Sequence, residues 1–240
     1  MKILAIESSS LVASAAIVND DILVAEYTVN HNVTHSQTLL PMIDEILTMA
    51  QTDKRSIDAI AVSGGPGSYT GLRIGSATAK GLGMALDIPL IHVPTLDAMA
   101  YNAYGYAGLV CPIMDARRSQ VYTGIYEFSD GKFNILLENS AITFDELMEK
   151  LDVLNTSGKK VMFIGDGIPV FKDRIDEHFK GTGYELAPAS MNRQRAASVA
   201  VLGGIYYNEG KTEAASEHLP DYLRLSQAER ELNEKRAANG

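Results

Sequence analysis

The chain has 240 residues, 46% hydrophobic and 21% charged, which is room for one large or two small domains of ordinary globular composition. Its formal net charge of −9 disfavours unaided binding to the polyanionic backbone of a nucleic acid. A single cysteine, Cys111, excludes an intrachain disulfide and no Cys/His spacing resembles a zinc site, while "MKILAIESSS" is too short an apolar run for a signal peptide and no run is long enough to span a bilayer, so the chain reads as cytoplasmic.

Three β-rich runs come first, Lys2–Ile6, Val12–Val18 and Ile22–Val29, with a turn at Asn19–Asp21 between the last two. A helix follows, with Ser36 as its N-cap and Leu39, Leu40, Ile43, Ile46, Leu47 and Ala50 at helical spacing. His31 and His35 just before it read as surface histidines. A strand over Ile57–Val62 leads into a glycine-rich loop, a helix ending near Leu86, and the run Leu90–Val93. From Gly108 the order restarts: strands over Leu109–Met114, Val121–Phe128 and Phe133–Leu137, then a helix opened by the capping box of Thr143 and Glu146. Val161–Ile164 is again a strand, followed by "GDG" and a helix carrying Val170, Phe171 and Ile175. Each half begins with a strand that ends in an acid, Glu7 or Asp115. The pattern predicts two α/β lobes, each a mixed sheet with helices. Beyond them, Ala196–Tyr207 reads as a buried helix, His218–Leu225 as an extended segment and residues 226–240 as a charged tail. Cys111, beside Pro112 in an apolar run, reads as a small buried hydrophobe.

The glycine loop fits neither common phosphate motif. Counting back from Gly71 puts Pro66 where a P-loop needs its first glycine, and Leu72 stands in place of the lysine. Gly65 and Gly67 begin a dinucleotide fingerprint, but Thr70 occupies its third glycine position. The helix after the loop carries Gly75, Ala79 and Gly83 four residues apart, on one face with Ser76 nearby and Leu72 and Leu82 flanking. Each interior glycine costs about 1 kcal/mol against alanine, so another backbone is expected to pack close. That backbone belongs either to the chain's own core or to a second subunit, and periodicity leaves both open.

The stretch "GGPGSYTGLRIG" at 64–75 resembles the signature of the TsaB (YeaZ-like) family, the non-catalytic subunit of the bacterial tRNA threonylcarbamoyladenosine synthase. "ILAIESS", "THSQTLLPMI", "PIMDARRSQVYTG" and "PDYLR" agree with that family in order and spacing over residues 1–225. The resemblance implies a two-lobed hexokinase–actin-like α/β fold with a duplicated β-β-β-α-β-α unit: an N-terminal lobe over 1–105 holding the glycine-rich loop and the partner helices, a C-terminal lobe over 106–225, and the tail. It implies a scaffold for transfer of a threonylcarbamoyl group to N6 of the adenosine next to the anticodon. Chemistry would occur on a TsaD-like subunit with a TsaE-like ATPase. ATP and metal would sit on those partners, none would be bound by this chain alone, and tRNA would be met only through the complex. In TsaD a metal is bound through H-x-x-x-H; the matching positions here are Thr95 and Met99, which replace both histidines. No catalytic and no metal-binding residue is expected.

The expected partner face comprises Leu39, Leu40, Ile43 and Leu47 on the first helix and Leu72, Gly75, Ser76, Ala79, Leu82 and Gly83 on the second. A homodimer through the same face is expected when the partner is absent. Gly64, Gly65, Pro66, Gly67, Thr70, Gly71 and Arg73 form the glycine loop, expected to set close backbone packing and a subunit surface. Glu7, Asp115 and Arg117 are the candidates for a site between the lobes, with Glu7 standing where many relatives have Asp. Two other functions fit the fold class: an ATP-dependent phosphotransferase of the hexokinase–actin type using Asp115, and a metallopeptidase-like hydrolase, which needs the ligand set that Thr95 and Met99 do not supply.

Overall fold

A computed structural model of the protein describes residues 1–31 and 34–224. The first half contains β1 (Lys2–Glu7), β2 (Val12–Asn19), β3 (Ile22–Asn30), α1 (His35–Met49), β4 (Ala59–Gly65), α2 (Tyr69–Leu86), β5 (Leu90–Pro94) and α3 (Thr95–Tyr101). The second contains β6 (Leu109–Asp115), β7 (Gln120–Ser129), β8 (Lys132–Thr143), α4 (Phe144–Leu154), β9 (Val161–Ile164), α5 (Ile168–His178), β10 (Glu185–Leu186) and α6 (Ala196–Asn208). The sheets have the orders β3-β2-β1-β4-β5 and β8-β7-β6-β9-β10. Strand for strand these are the same topology, so the chain is a duplicated α/β fold of the hexokinase–actin type. Each unit also runs one strand and one helix beyond the expected β-β-β-α-β-α. The last strand of the second unit has two residues, too few for a periodic signal.

The strands at the centre of the first sheet explain their own composition. β1 pairs antiparallel with β2 and parallel with β4. Its Leu4 and Ile6 point to the side covered by α1 and α2, and Ile3 and Ala5 to the side covered by α6. A strand covered on both faces needs a continuous apolar run, which "ILAI" supplies.

Two local expectations change. Helix α1 starts at His35 with Thr34 at the N-cap and no side-chain cap, so Ser36 lies inside its first turn. The helix start is fixed instead by His35, whose Nε2 donates to the Ser10 carbonyl at 2.7 Å, so this histidine is half-buried and engaged, not a free surface group. Strand β8 runs on past Leu137 to Thr143, because the polar stretch Glu138–Ser140 interrupts the apolar run there. The charged tail at 226–240 and Leu225 lie outside the described residues.

The division near residue 105 separates the two sheets, but the helices cross it. α6 packs on the first sheet: Val199, Ala200 and Leu202 lie in one cluster with Ile3, Ala61, Ile91 and Val93. In return Leu96, Met99 and Ala100 of α3 lie with Val110, Met114 and Ile164 of the second. A buried polar hub pins this exchange. Asp97 of α3 accepts from the Tyr126 hydroxyl at 2.8 Å and the Asn139 amide at 3.0 Å through one oxygen, and from the Tyr206 hydroxyl of α6 at 3.1 Å through the other. Burial pushes the Asp97 carboxyl above its usual range while these three donors hold it down. Among the described residues no helix is long and apolar enough to cross a membrane.

Candidate functional site

Between the lobes opens a cleft of about 390 Å³. Its walls are the β1–β2 turn at Ser9–Leu11, the glycine loop at Pro66–Tyr69, the β6–β7 turn at Asp115–Arg117, Asp166 after β9, and the C-terminal segment Asp221–Arg224. Asp115 accepts from the backbone N–H of Arg117 at 2.8 Å and from its guanidinium at 3.0 Å. Arg117, Arg118 and Ser119 have φ of 63°, 56° and 57°, three successive left-handed residues that turn the chain sharply under the cleft. Arg224 donates to the Ala116 carbonyl. Asp166 has one buried oxygen without a partner, and burial raises its carboxyl above the ordinary range.

Of the expected inter-lobe residues, Asp115 and Arg117 line this cleft and Glu7 does not. Glu7 is fully buried beneath the β1–β2 turn, where one carboxylate oxygen accepts from the Ser9 N–H and the Ser9 hydroxyl, both at 2.6 Å. Asp166 and Asp221 were not expected there. "GDG" gave a signal for the first. The second reaches the cleft only because the end of the chain folds back.

The glycine loop packs against the protein's own backbone. Gly65, joined to Pro66 by a cis peptide bond, has φ of 127°, and a Cβ there would lie 2.3 Å from the Asp221 carbonyl oxygen. Only glycine tolerates both conditions. The Asp221 N–H in turn donates to the Gly64 carbonyl at 2.7 Å, and the Ser68 N–H donates to the Ser9 carbonyl at 2.6 Å. Gly67 and Gly71 abut the Ser9 and Ser8 carbonyls. At the rim, the Arg73 guanidinium lies 4.1 Å from the Tyr69 ring centroid and its Nε donates to the Tyr222 hydroxyl at 3.2 Å. Thr70 is exposed beside them. The loop thus joins the β1–β2 turn, α2 and the C-terminal segment.

The expected partner face is corrected by this packing. Leu39, Ile43, Leu72, Gly75, Ser76, Ala79 and Gly83 are buried, and Leu47 and Leu82 are half-buried; Leu40 alone of that set is exposed. Gly75 sits against the Ser8 hydroxyl and Gly83 against Ala215 and Leu90. The small-residue stripe therefore faces the chain's own sheet. α2 carries a second set of small residues on its outer side, Ala77 and Gly81, and a Cβ at Gly81 would meet nothing. Leu40 and Met49 of α1 and Met84 of α2 are exposed as well.

Thr95 and Met99 are both buried in α3: the Thr95 hydroxyl lies 2.9 Å from that of Ser63, and Met99 belongs to the core of the second lobe. Cys111 is likewise fully buried, and burial pushes its thiol up to about 12.

This geometry has close counterparts. The family model described as "TsaD: tRNA N6-adenosine threonylcarbamoyltransferase" matches residues 28–232. The tRNA threonylcarbamoyladenosine biosynthesis protein TsaB of Bacillus subtilis is 34% identical, with 95% of this chain and 96% of that protein covered. The Escherichia coli protein of the same name is 32% identical over 97% of this chain and 98% of its own length. Among solved structures, a Pseudomonas aeruginosa protein described as similar to peptidase YeaZ superposes with a TM-score of 0.79 at 26% identity, covering 93% of this chain and 99% of that one. With relatives named TsaB at 34% and 32% identity covering 95% and 97% of its length, and a shared fold with the Pseudomonas aeruginosa protein, the chain belongs to the TsaB family.

Proposed function

We propose that this chain serves the formation of threonylcarbamoyladenosine on tRNA as a non-catalytic subunit. It binds a TsaD-like catalytic subunit and a TsaE-like ATPase, works in the cytoplasm, and meets tRNA only through the complex. ATP and the catalytic metal belong to those partners. The observation that carries this reading is α3: where the resemblance puts the paired histidines of TsaD, Thr95 hydrogen-bonds Ser63 and Met99 fills the core. As a pair they do not replace two imidazoles as ligands for a hard or borderline metal ion. A net charge of −9 agrees with a protein that leaves tRNA to others.

The partner contact belongs to the outer side of α1 and α2, around Leu40, Ala77, Gly81 and Met84, which also supports a homodimer when no partner is present. Close helix approach needs small side chains at the crossing, with axes about 8–10 Å apart. Ala77→Arg leaves the fold intact, because Ala77 is exposed. It is expected to weaken binding to the catalytic subunit by roughly tenfold to a hundredfold, the equivalent of about 1–3 kcal/mol of overpacking. The test is reconstitution from purified subunits with tRNA. Omission of this chain abolishes modification, Ala77→Arg reduces it, and Asp115→Asn leaves it unchanged.

A phosphotransferase reading is favoured by one observation, the pair Asp115 and Asp166 in the cleft. ATP turnover by the chain alone, lost in Asp115→Asn, decides for it.

A further inference from the structure

Two histidines and a glutamate that lie far apart in the sequence meet behind the glycine loop. His92 is on β5, and Glu213 and His218 are on the segment that follows α6. One donor atom from each falls within 4.8 Å of the others. His218 is completely buried. Its Nδ1 lies 2.6 Å from a Glu213 carboxylate oxygen, while its Nε2 has no partner. His92 Nε2 is also buried without a hydrogen bond, although Asp221 Oδ2 stands 3.3 Å away out of line.

Nearly all buried polar atoms in folded proteins are satisfied, so two orphaned imidazole nitrogens in one place need an explanation. Packing alone gives no reason to place two histidines side by side with their ring nitrogens buried. A cation removes the difficulty: it takes a lone pair from each imidazole and neutralises the carboxylates. Two nitrogens and a carboxylate oxygen form the borderline donor set that suits zinc, and Asp221 offers a fourth oxygen. We propose that His92, Glu213 and His218, completed by Asp221, form a structural Zn²⁺ site.

Tetrahedral zinc with ligands at about 2.0–2.1 Å needs donor atoms roughly 3.4 Å apart. The Glu213 and Asp221 side chains are the ones free to close that gap, being 31% and 70% exposed. The backbone is already in place. Leu90 and Glu213 exchange both backbone hydrogen bonds at 3.0 Å, Lys80 donates to the His218 carbonyl at 3.0 Å, and the Asp221 N–H holds the Gly64 carbonyl. The His92 ring lies directly on Gly64. Zinc here clasps the 213–221 segment to β5 and thereby stiffens the glycine loop from behind. This departs from the expectation that the chain binds no metal of its own. The metal is structural and is separate from any the catalytic subunit holds.

The test uses the untagged full chain, stripped with a chelator and titrated with Zn²⁺ by calorimetry. One ion per chain is expected, with a rise in melting temperature on binding. His92→Asn, at a half-exposed position, lowers the affinity at least tenfold, while His178→Asn, which alters the separate pair with Asp152, does not. Co²⁺ added to the unmutated chain is expected to give the intense visible absorption of a four-coordinate site, a readout that needs no variant to fold. Absence of saturable one-to-one uptake, the same uptake by His92→Asn, or only the faint spectrum of six-coordinate Co²⁺ would overturn the proposal.

Discussion

Glu7 shows how a single carboxyl can work against the fold that holds it. One of its oxygens accepts two short hydrogen bonds from Ser9, and the other is buried with no partner. Burial raises the pKa above the ordinary 4.5, and the two hydrogen bonds from Ser9 only partly offset it. The native state therefore binds the proton more tightly than the unfolded chain does. Stability from this group is full below pH 4.5 and is lost as pH rises through the higher folded-state value. Glu7→Gln keeps the shape and removes the buried charge. Its melting temperature is expected to exceed that of the parent at neutral pH, with the difference vanishing below the ordinary carboxyl range. A variant less stable than the parent at neutral pH would show that the charge is held by something stronger than Ser9. Cys111 gives a second expectation at this scale. Its thiol is fully buried, pushed up to about 12, and set 3.7 Å from the Thr123 hydroxyl. Since the thiolate is the reacting species, modification by a disulfide reagent should follow the rate of unfolding, with no fast phase in the native protein.

At the scale of the element, α2 was legible in part. Glycine, alanine and glycine four apart announced a close contact, which is present, although side chains and not another backbone come nearest at Gly75 and Gly83. The side of the contact was not legible, because a stripe against one's own sheet and a stripe against a partner have the same spacing. The structure decides through neighbours the sequence places far away: Ser8 at Gly75, and Leu90 with Ala215 at Gly83. The consequence is measurable at Ala79, which is fully buried in a cluster with Leu4, Ile6 and Ile60. Ala79→Phe forces a ring into filled space and costs about 1–3 kcal/mol, or more where the sheet cannot yield. The melting temperature should fall, while affinity per folded molecule for the proposed catalytic partner stays unchanged. A variant that melts like the parent but loses the partner would return the inner stripe to the interface. The same limit hid most of the cleft. Asp115 and Arg117 could be read from their place after a strand. Asp221, Tyr222 and the His92–His218 meeting depend on how the last segment returns across the fold, for which no local signal exists.

For the whole molecule, the order of elements and its duplication could be read from turns and apolar runs. The crossing of α3 and α6 could not, since an apolar helix does not say which sheet it covers. That crossing determines what a lobe is worth alone. A fragment of residues 1–105 would keep every strand of the first sheet and lose α6, which covers Ile3, Ile91 and Val93. It would also present Leu96, Met99 and Ala100 of α3, which belong with the second sheet. Burying one large aliphatic side chain contributes about 1.5–3 kcal/mol, so uncovering several is comparable to the roughly 5–15 kcal/mol that holds a typical domain folded. The Asp97 hub would be broken as well, with its carboxyl separated from Tyr126, Asn139 and Tyr206. The fragment 1–105 and its complement 106–240 should each give collapsed amide NMR spectra when made alone. When co-expressed they should associate and recover the dispersion of the intact chain. A monomeric 1–105 fragment with a dispersed spectrum and a cooperative melt would mean that the first lobe folds without α6, and that the exchanged helices join two finished domains instead of completing two unfinished ones.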